Sequence, residues 1–323
     1  MAMSAKPYAL DLPVHPDGGP EHVRKALSGE NTTPANYKFA AKTDAIDIVY
    51  HVCGKGPQLI VAVSPGWGGG INYLPNILKP ILESGKITLV CVQPRGTLPS
   101  GRPDEANMSS KHMAADMDEL RRQLSQETLT ILGHSNGGTI ALAYASAFPS
   151  RVSKCILINA QFIHYKNESA IIEGQLEWRK SDARFASSVA ALKAWDARGI
   201  ETDEDATQYL IDIINLYFVN PDVSAQIYAD DKGPTMVQEW PMRKQYAIDK
   251  QPENDVLLGA SKVTAETILF TGREDWICSV ESSTYAKELI GANAKLVVYE
   301  NCAHMPWLDN KDQFFQDLIE FIG

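Results

Sequence analysis

Three residues in this 323-residue chain have the types and the order of a hydrolytic relay: Ser135, Asp275 and His304. A serine hydroxyl is a weak nucleophile until a histidine takes its proton, and that imidazole needs a carboxylate to fix its tautomer and stabilise it once charged. Ser135 lies in Gly133-His134-Ser135-Asn136-Gly137-Gly138, between a β-branched, apolar run at 128–132 and an Ala- and Leu-rich stretch at 139–148 that meets its first breaker at Pro149. A strand that reverses into a helix over so few residues brings backbones together, so the positions flanking the serine must be glycine. The turn lifts the hydroxyl clear of the sheet, beside the positive end of the following helix. Asp275 follows an apolar run at 267–271, in Gly272-Arg273-Glu274-Asp275-Trp276, and His304 follows another at 295–299, in Asn301-Cys302-Ala303-His304-Met305-Pro306. Taken singly, each has a plainer reading: a bystander serine in a Gly-rich loop, a turn aspartate, a loop histidine. Placed together just past predicted strands, in the order Ser, Asp, His, they favour the relay. Glu274 competes with Asp275 for the place of the acid.

These side chains need a sheet to hold them. Residues 37–41 and 46–52 read as an antiparallel hairpin, and 58–64, 87–92, 128–132 and 154–159 as buried strands with helices at 72–82, 116–124 and 139–148 between them. The alternation then stops. Between 161 and 262 there are helical patterns at 171–180, 187–197 and 206–217 but no convincing strand, which reads as a helical insertion. Strands at 267–271 and 295–299 and helices at 281–290 and 313–322 close the chain. The fold class is α/β, a mostly parallel sheet covered on both faces, with ligands outside the carboxyl ends of its strands. The boundaries follow: an N-terminal surface arm at 1–36, a core at 37–160 and 263–323, and the insertion at 161–262.

A 44% hydrophobic content is enough to bury such a core, and a net charge of −10 without any Lys/Arg block argues against nucleic acid or an anionic membrane as partner. No stretch has the length of a secretory or membrane-spanning segment, and Cys53, Cys91, Cys155, Cys278 and Cys302 form no C-x-x-C pair, so the expectation is free thiols in a reducing cytoplasm. Neither H-E-x-x-H nor clustered His/Asp marks a metal, and residues 65–70 lack the G-K-[ST] of a phosphate loop. No cofactor is expected. The acidic run at 201–205 reads as a solvated helix start rather than a binding site for a substrate amine, and His134 as a residue directed into the sheet. The sequence leaves homodimerisation open.

Pro65-Gly66-Trp67-Gly68-Gly69, Pro94-Arg95-Gly96, Gly133-His134-Ser135-Asn136-Gly137, Gly272-Arg273-Glu274-Asp275 and His304-Met305-Pro306 together resemble an α/β-hydrolase, from about Tyr37 to the end of the chain. The resemblance implies an α/β-hydrolase fold in which the insertion is a helical cap over the nucleophile. It also implies an oxyanion hole made by the backbone N–H groups of Asn136 and Trp67. Insertion length, the Arg-Gly element and Gly233-Pro234-Thr235-Met236 look like the proline iminopeptidase group. That group usually carries His-Gly-Gly-Pro-Gly and Gly-Gly-Ser-Trp-Gly where this chain has Ser64-Pro65-Gly66-Trp67-Gly68 and Gly133-His134-Ser135-Asn136-Gly137.

The expected activity is hydrolysis of an ester, lactone or related acyl bond of a small, largely apolar substrate through an acyl-enzyme. Trp67, Trp276 and Trp307 lie within a few positions of proposed site residues and Trp240 faces from the cap, so these four are candidate walls of an apolar pocket, against the plainer reading of core packing. The alternatives are an aminopeptidase of the iminopeptidase kind, a carbon–carbon bond hydrolase on the same triad, and a repurposed cyclase or binding protein.

Overall fold

A computed structural model describes residues 12–65, 68, 70, 71, 73–228 and 237–323. Its strands are β1 (Val14–His15), β2 (Ala35–Ala41), β3 (Ile46–Gly54), β4 (Gln58–Val63), β5 (Ile87–Val92), β6 (Leu129–His134), β7 (Val152–Ile158), β8 (Glu266–Gly272) and β9 (Ala294–Tyr299). They form one sheet in the order β1-β2-β3-β5-β4-β6-β7-β8-β9. β5, β4, β6, β7, β8 and β9 run parallel, and the β2–β3 hairpin joins antiparallel through β3 and β5. The segment read as a surface arm is tied to this sheet. Val14 and His15 pair in parallel with Asn36 and Tyr37, and α1 (Gly19–Leu27) buries His22, Val23 and Ala26.

The parallel strands are continuous apolar runs because both faces are covered, and successive residues serve opposite cores. Val61, Val63, Leu157 and Leu269 point into one core. There they meet α4 (Ser110–Gln123), α5 (Asn136–Ala147) and α10 (Val280–Ile290) through Met113, Met117, Ile140 and Ile290. Ile60, Ala62, Ile156, Ile158, Ile268 and Phe270 point into the other. That core holds the short α2 (Tyr73–Ile77) and α3 (Lys79–Glu83), and closes on α12 (Lys311–Ile322), which follows the one-turn α11 (Pro306–Asp309).

Between β7 and β8 the chain contributes α6 (Glu168–Ser181), α7 (Ala186–Arg198), α8 (Asp203–Ile213) and α9 (Glu239–Asp249), with no strand among the described residues. Phe185, Val189, Leu192, Ile213 and Phe218 continue the second core. α9 was not legible in the sequence; it is anchored by Asp249, whose carboxylate accepts from Ser110 N (2.7 Å) and Ser110 Oγ (2.6 Å). The Arg-Gly element is structural: Arg95, fully buried, donates to both Asp116 oxygens (2.8 and 2.7 Å) and to Asp44 (2.5 Å), pinning the loop after β5. Removing both aspartates would leave the buried guanidinium without a counter-charge, which typically costs about 3–5 kcal/mol. Among the described residues no helix is long and apolar enough to cross a membrane.

Candidate active site

Ser135 occupies the one-residue junction between β6 and α5 at φ 55° and ψ −125°. A side chain held there costs on the order of 1–3 kcal/mol and persists only because its surroundings over-determine it. Its N–H donates to Ile158 O (2.9 Å), and its carbonyl accepts from Gly138 N (2.9 Å) and Gln161 N (3.0 Å). Glycine is required on both sides: a Cβ on Gly133 would strike the Gly137 carbonyl, and one on Gly137 the Val63 carbonyl. Asn136 is the first residue of α5, where helix N–H groups point outward along the axis.

Asp275 follows β8 and His304 follows β9, and these neighbouring strands bring His304 Nδ1 to 2.7 Å from Asp275 Oδ2. Both side chains are buried. Asp275 also accepts from Asn159 Nδ2 (2.7 Å), Ile277 N (3.0 Å) and Cys278 N (3.1 Å), a donor set that suits an ionised carboxylate. Because the carboxylate can only accept, Nδ1 carries the proton and a neutral ring has its lone pair on Nε2. Glu274, the rival acid, instead takes Cys302 N at 2.9 Å. The imidazole is braced from two sides. His304 N donates to Tyr217 O (3.1 Å), with the Tyr217 ring edge-on at 5.1 Å. His134 Nε2 donates to His304 O (3.0 Å), its ring 4.5 Å away. Complete burial, and then the neighbouring His304, holds the His134 ring well below the ordinary imidazole value, so it is a neutral structural donor.

The remaining piece is Cys278. Its thiol is fully buried, and burial, with Asp275 and Glu168 nearby, raises it well above the ordinary thiol range, while the neighbouring Ser135 side chain acts to lower it. Asp275, Cys278 and His304 place their donor atoms within 4.8 Å of one another, the one such His/Cys/Asp/Glu set among the described residues. The sequence carries no signal for this, since Cys278 lies in no metal motif. Asn159 was equally silent: it stands at φ 41° after β7 and donates to Asp275 and to Ala303 O (3.1 Å).

Residues from the insertion press on the acid loop. Arg179 of α6, fully buried, donates to Gln175 Oε1 (2.7 Å) and to the Glu274 carbonyl. Burial pushes its pKa down to about 10 although Asp275, Glu274 and Asp309 favour the charge. Glu168, in the first turn of α6, accepts from Ser279 N (3.3 Å) and Ser279 Oγ (2.8 Å). Burial, reinforced by Asp275 and Glu281, pushes its carboxyl up to about 7. Asp309 is pushed up to about 6, again chiefly by burial, with Glu274 and Asp275 adding to it.

A carboxyl whose folded pKa lies above its unfolded value binds its proton more tightly in the folded state. The stability this confers is fully present below the unfolded value and is lost as pH rises through the folded one. For Glu168 the window runs from 4.5 to about 7. The melting temperature is therefore expected to fall as pH rises across that window, and Glu168→Gln to flatten the fall. Parallel profiles for the two proteins in thermal denaturation from pH 4.5 to 8 would remove Glu168 as the cause.

Among the tryptophans, Trp276 is buried and meets Tyr217 edge-on at 5.6 Å, and Trp307 meets His134 edge-on at 4.8 Å, so both back the histidine at one remove. Trp240 packs by Gly96 and beneath Arg102, whose guanidinium is 4.2 Å from the ring centre. Trp67 and the 233–236 stretch lie outside the described residues. A cleft of about 420 Å³ opens between α6 and the acid loop, lined by Gln175, Trp178, Glu274, Asp275 and Ser279; neither Ser135 nor His304 lines it. The acidic run at 201–205 is taken up by the start of α8. Thr202 caps that helix, Asp203 accepts Glu239 N (2.8 Å) and Asp205 pairs with Arg198 (2.7 Å).

A family model described as the alpha/beta hydrolase fold matches residues 60–311. A proline iminopeptidase of Pestalotiopsis fici is 25% identical over 271 residues, 82% of this chain and 92% of that protein. Among solved structures, an esterase from Exiguobacterium antarcticum matches with a TM-score of 0.63 at 22% identity, over 88% of this chain and 98% of its own. A meta-cleavage product hydrolase from Pseudomonas fluorescens IP01 matches with a TM-score of 0.64 at 18% identity, over 88% of this chain and 96% of its own. At these identities the two structures speak to the fold alone.

Proposed function

The chain belongs to the α/β-hydrolase fold family, and on that premise we propose that it is a serine hydrolase of esters, lactones or related acyl bonds in small, largely apolar molecules. The observation that carries the reading is the 2.7 Å contact between buried Asp275 and His304, on the loops that follow β8 and β9. In this reading His304 Nε2 takes the Ser135 proton as Oγ attacks the acyl carbon, and Asp275 stabilises the imidazolium. The Asn136 N–H, at the positive end of α5, meets the developing oxyanion, with the Trp67 N–H as the second donor implied by the family. The imidazolium then protonates the leaving group, and water repeats the cycle on the acyl-enzyme. The reading places the protein in the cytoplasm, free of cofactor.

The second reading, an aminopeptidase, is favoured by the Pestalotiopsis fici relative. It needs a carboxylate free to hold a substrate ammonium beside the scissile carbonyl, because an unpaired buried ammonium costs several kcal/mol. Of the 201–205 acids, Asp203 and Asp205 are engaged at the start of α8, and Glu201 and Glu204 are exposed to solvent. Glu168 is already bonded to Ser279. An apolar acyl chain needs no such carboxylate, and each methylene it buries contributes about 0.8 kcal/mol. Purified protein is therefore expected to cleave p-nitrophenyl esters of medium acyl chains much faster than prolyl or alanyl naphthylamides, with rates climbing with acyl length until the pocket is full. Efficient release of N-terminal proline, lost on acylating its nitrogen, would replace this reading with the peptidase.

A further inference from the structure

Cys278 has no task in the relay, yet its sulfur shares a 4.8 Å sphere with a ring nitrogen of His304 and an oxygen of Asp275, and Ser135 is near enough to act on its thiol. We propose that these side chains form an inhibitory site for a thiophilic divalent cation, zinc above all, whose occupancy blocks Ser135. Thiolate, imidazole and carboxylate are the donors zinc selects. A tetrahedral ion with bonds of about 2.0–2.3 Å wants its donors about 3.3–3.8 Å apart, so a set within 4.8 Å closes on the ion by side-chain adjustment alone. Ser135 is only partly buried, which gives the ion a route from solvent and leaves a coordination position for water or the serine oxygen.

Binding forms a sulfur–metal bond and releases the Cys278 thiol proton to solvent, with no change of oxidation state. The binding stands on the donor geometry; its consequence for turnover rests on the serine-hydrolase reading.

The test is titration of the full chain with Co²⁺, followed by the thiolate-to-cobalt charge-transfer band in the near ultraviolet. One equivalent should develop the band and Zn²⁺ should displace it. Cys278→Ser and Cys278→Ala should abolish it, His304→Gln should weaken it, and Cys302→Ser should leave it unchanged. Zn²⁺ should also slow fluorophosphonate labelling of Ser135 about tenfold or more in the unsubstituted protein, and much less in Cys278→Ser, each normalised to its own ion-free rate. A band that survives both Cys278 substitutions, equal inhibition of Cys278→Ser, or no band with saturating Co²⁺ would each overturn the proposal. Should Ser135 take no label at all, the cobalt band still decides the metal site, so failure of the hydrolase reading is told apart from failure of this one.

Discussion

Ser135→Ala is expected to abolish covalent labelling by a fluorophosphonate and to lower kcat by about 10⁴-fold or more, while the protein folds as before. The turn is built by the backbone: Ser135 N and O are bonded to Ile158, Gly138 and Gln161, and the glycines at 133 and 137 make room for it. None of these contacts involves Oγ. Alanine keeps the same strained φ of 55°, so the variant neither relieves the strain nor loses the turn, and its melting temperature should stay close to that of the parent. A large loss of rate with little loss of stability separates a nucleophile from a structural serine. Equal labelling of the alanine variant would remove Ser135 from the chemistry.

The sequence makes the parts of this site visible and hides their assembly. The glycines about Ser135 and the apolar runs before Asp275 and His304 are local signals, because close backbone approach and burial on both sheet faces each restrict residue type over a few positions. The contacts that finish the site join residues far apart in the chain, and no periodicity announces them. Asn159 reads as the end of an apolar strand but, at φ 41°, turns its amide to Asp275. Tyr217 reads as the end of a helical pattern but gives its carbonyl to His304 N. The N-terminal segment reads as polar and Pro-rich, yet β1 and α1 dock because Val14 and Val23 find apolar partners across the sheet edge. α9 escapes because its anchor, Asp249, is polar and bonds to Ser110, which no hydrophobic pattern records.

The insertion between β7 and β8 is therefore coupled to the acid loop through three separate contacts. Arg179 holds the Glu274 carbonyl, Glu168 holds Ser279, and Tyr217 holds His304. All three bear on the loops after β8 and β9 and none on Ser135. A change in how the insertion packs would thus reach the imidazole before it reached Ser135. The raised carboxyls of Glu168 and Asp309 make that packing sensitive to pH in the same place, since each counts Asp275 among the charges that disfavour its ionised form.

Asp275→Asn is expected to cost about 10⁴-fold in kcat, and His304→Ala a comparable amount, with little further loss when either is combined with Ser135→Ala, because the three act as a unit. The aspartate accepts from four donors: His304 Nδ1, Asn159 Nδ2, Ile277 N and Cys278 N. An asparagine replaces one acceptor oxygen with an NH₂ group. If that group faces Ile277 and Cys278, two buried N–H groups lose their acceptor; if it faces His304, the ring must switch tautomer and put its proton on Nε2, where the base is needed. Backbone N–H groups cannot turn away, so the switch of tautomer is the cheaper outcome and the rate falls by the loss of the base. The same substitution removes a negative charge beside Glu168 and Asp309, so their ionisation should move toward the ordinary carboxyl range and the fall of stability with pH should be smaller and end at lower pH. Steady-state rates of Asp275→Asn, Glu274→Gln and the double variants, with their melting profiles against pH, test both consequences. A crippled Glu274→Gln beside an active Asp275→Asn would mean that the acid is Glu274, and the 2.7 Å contact to His304 would then be structural.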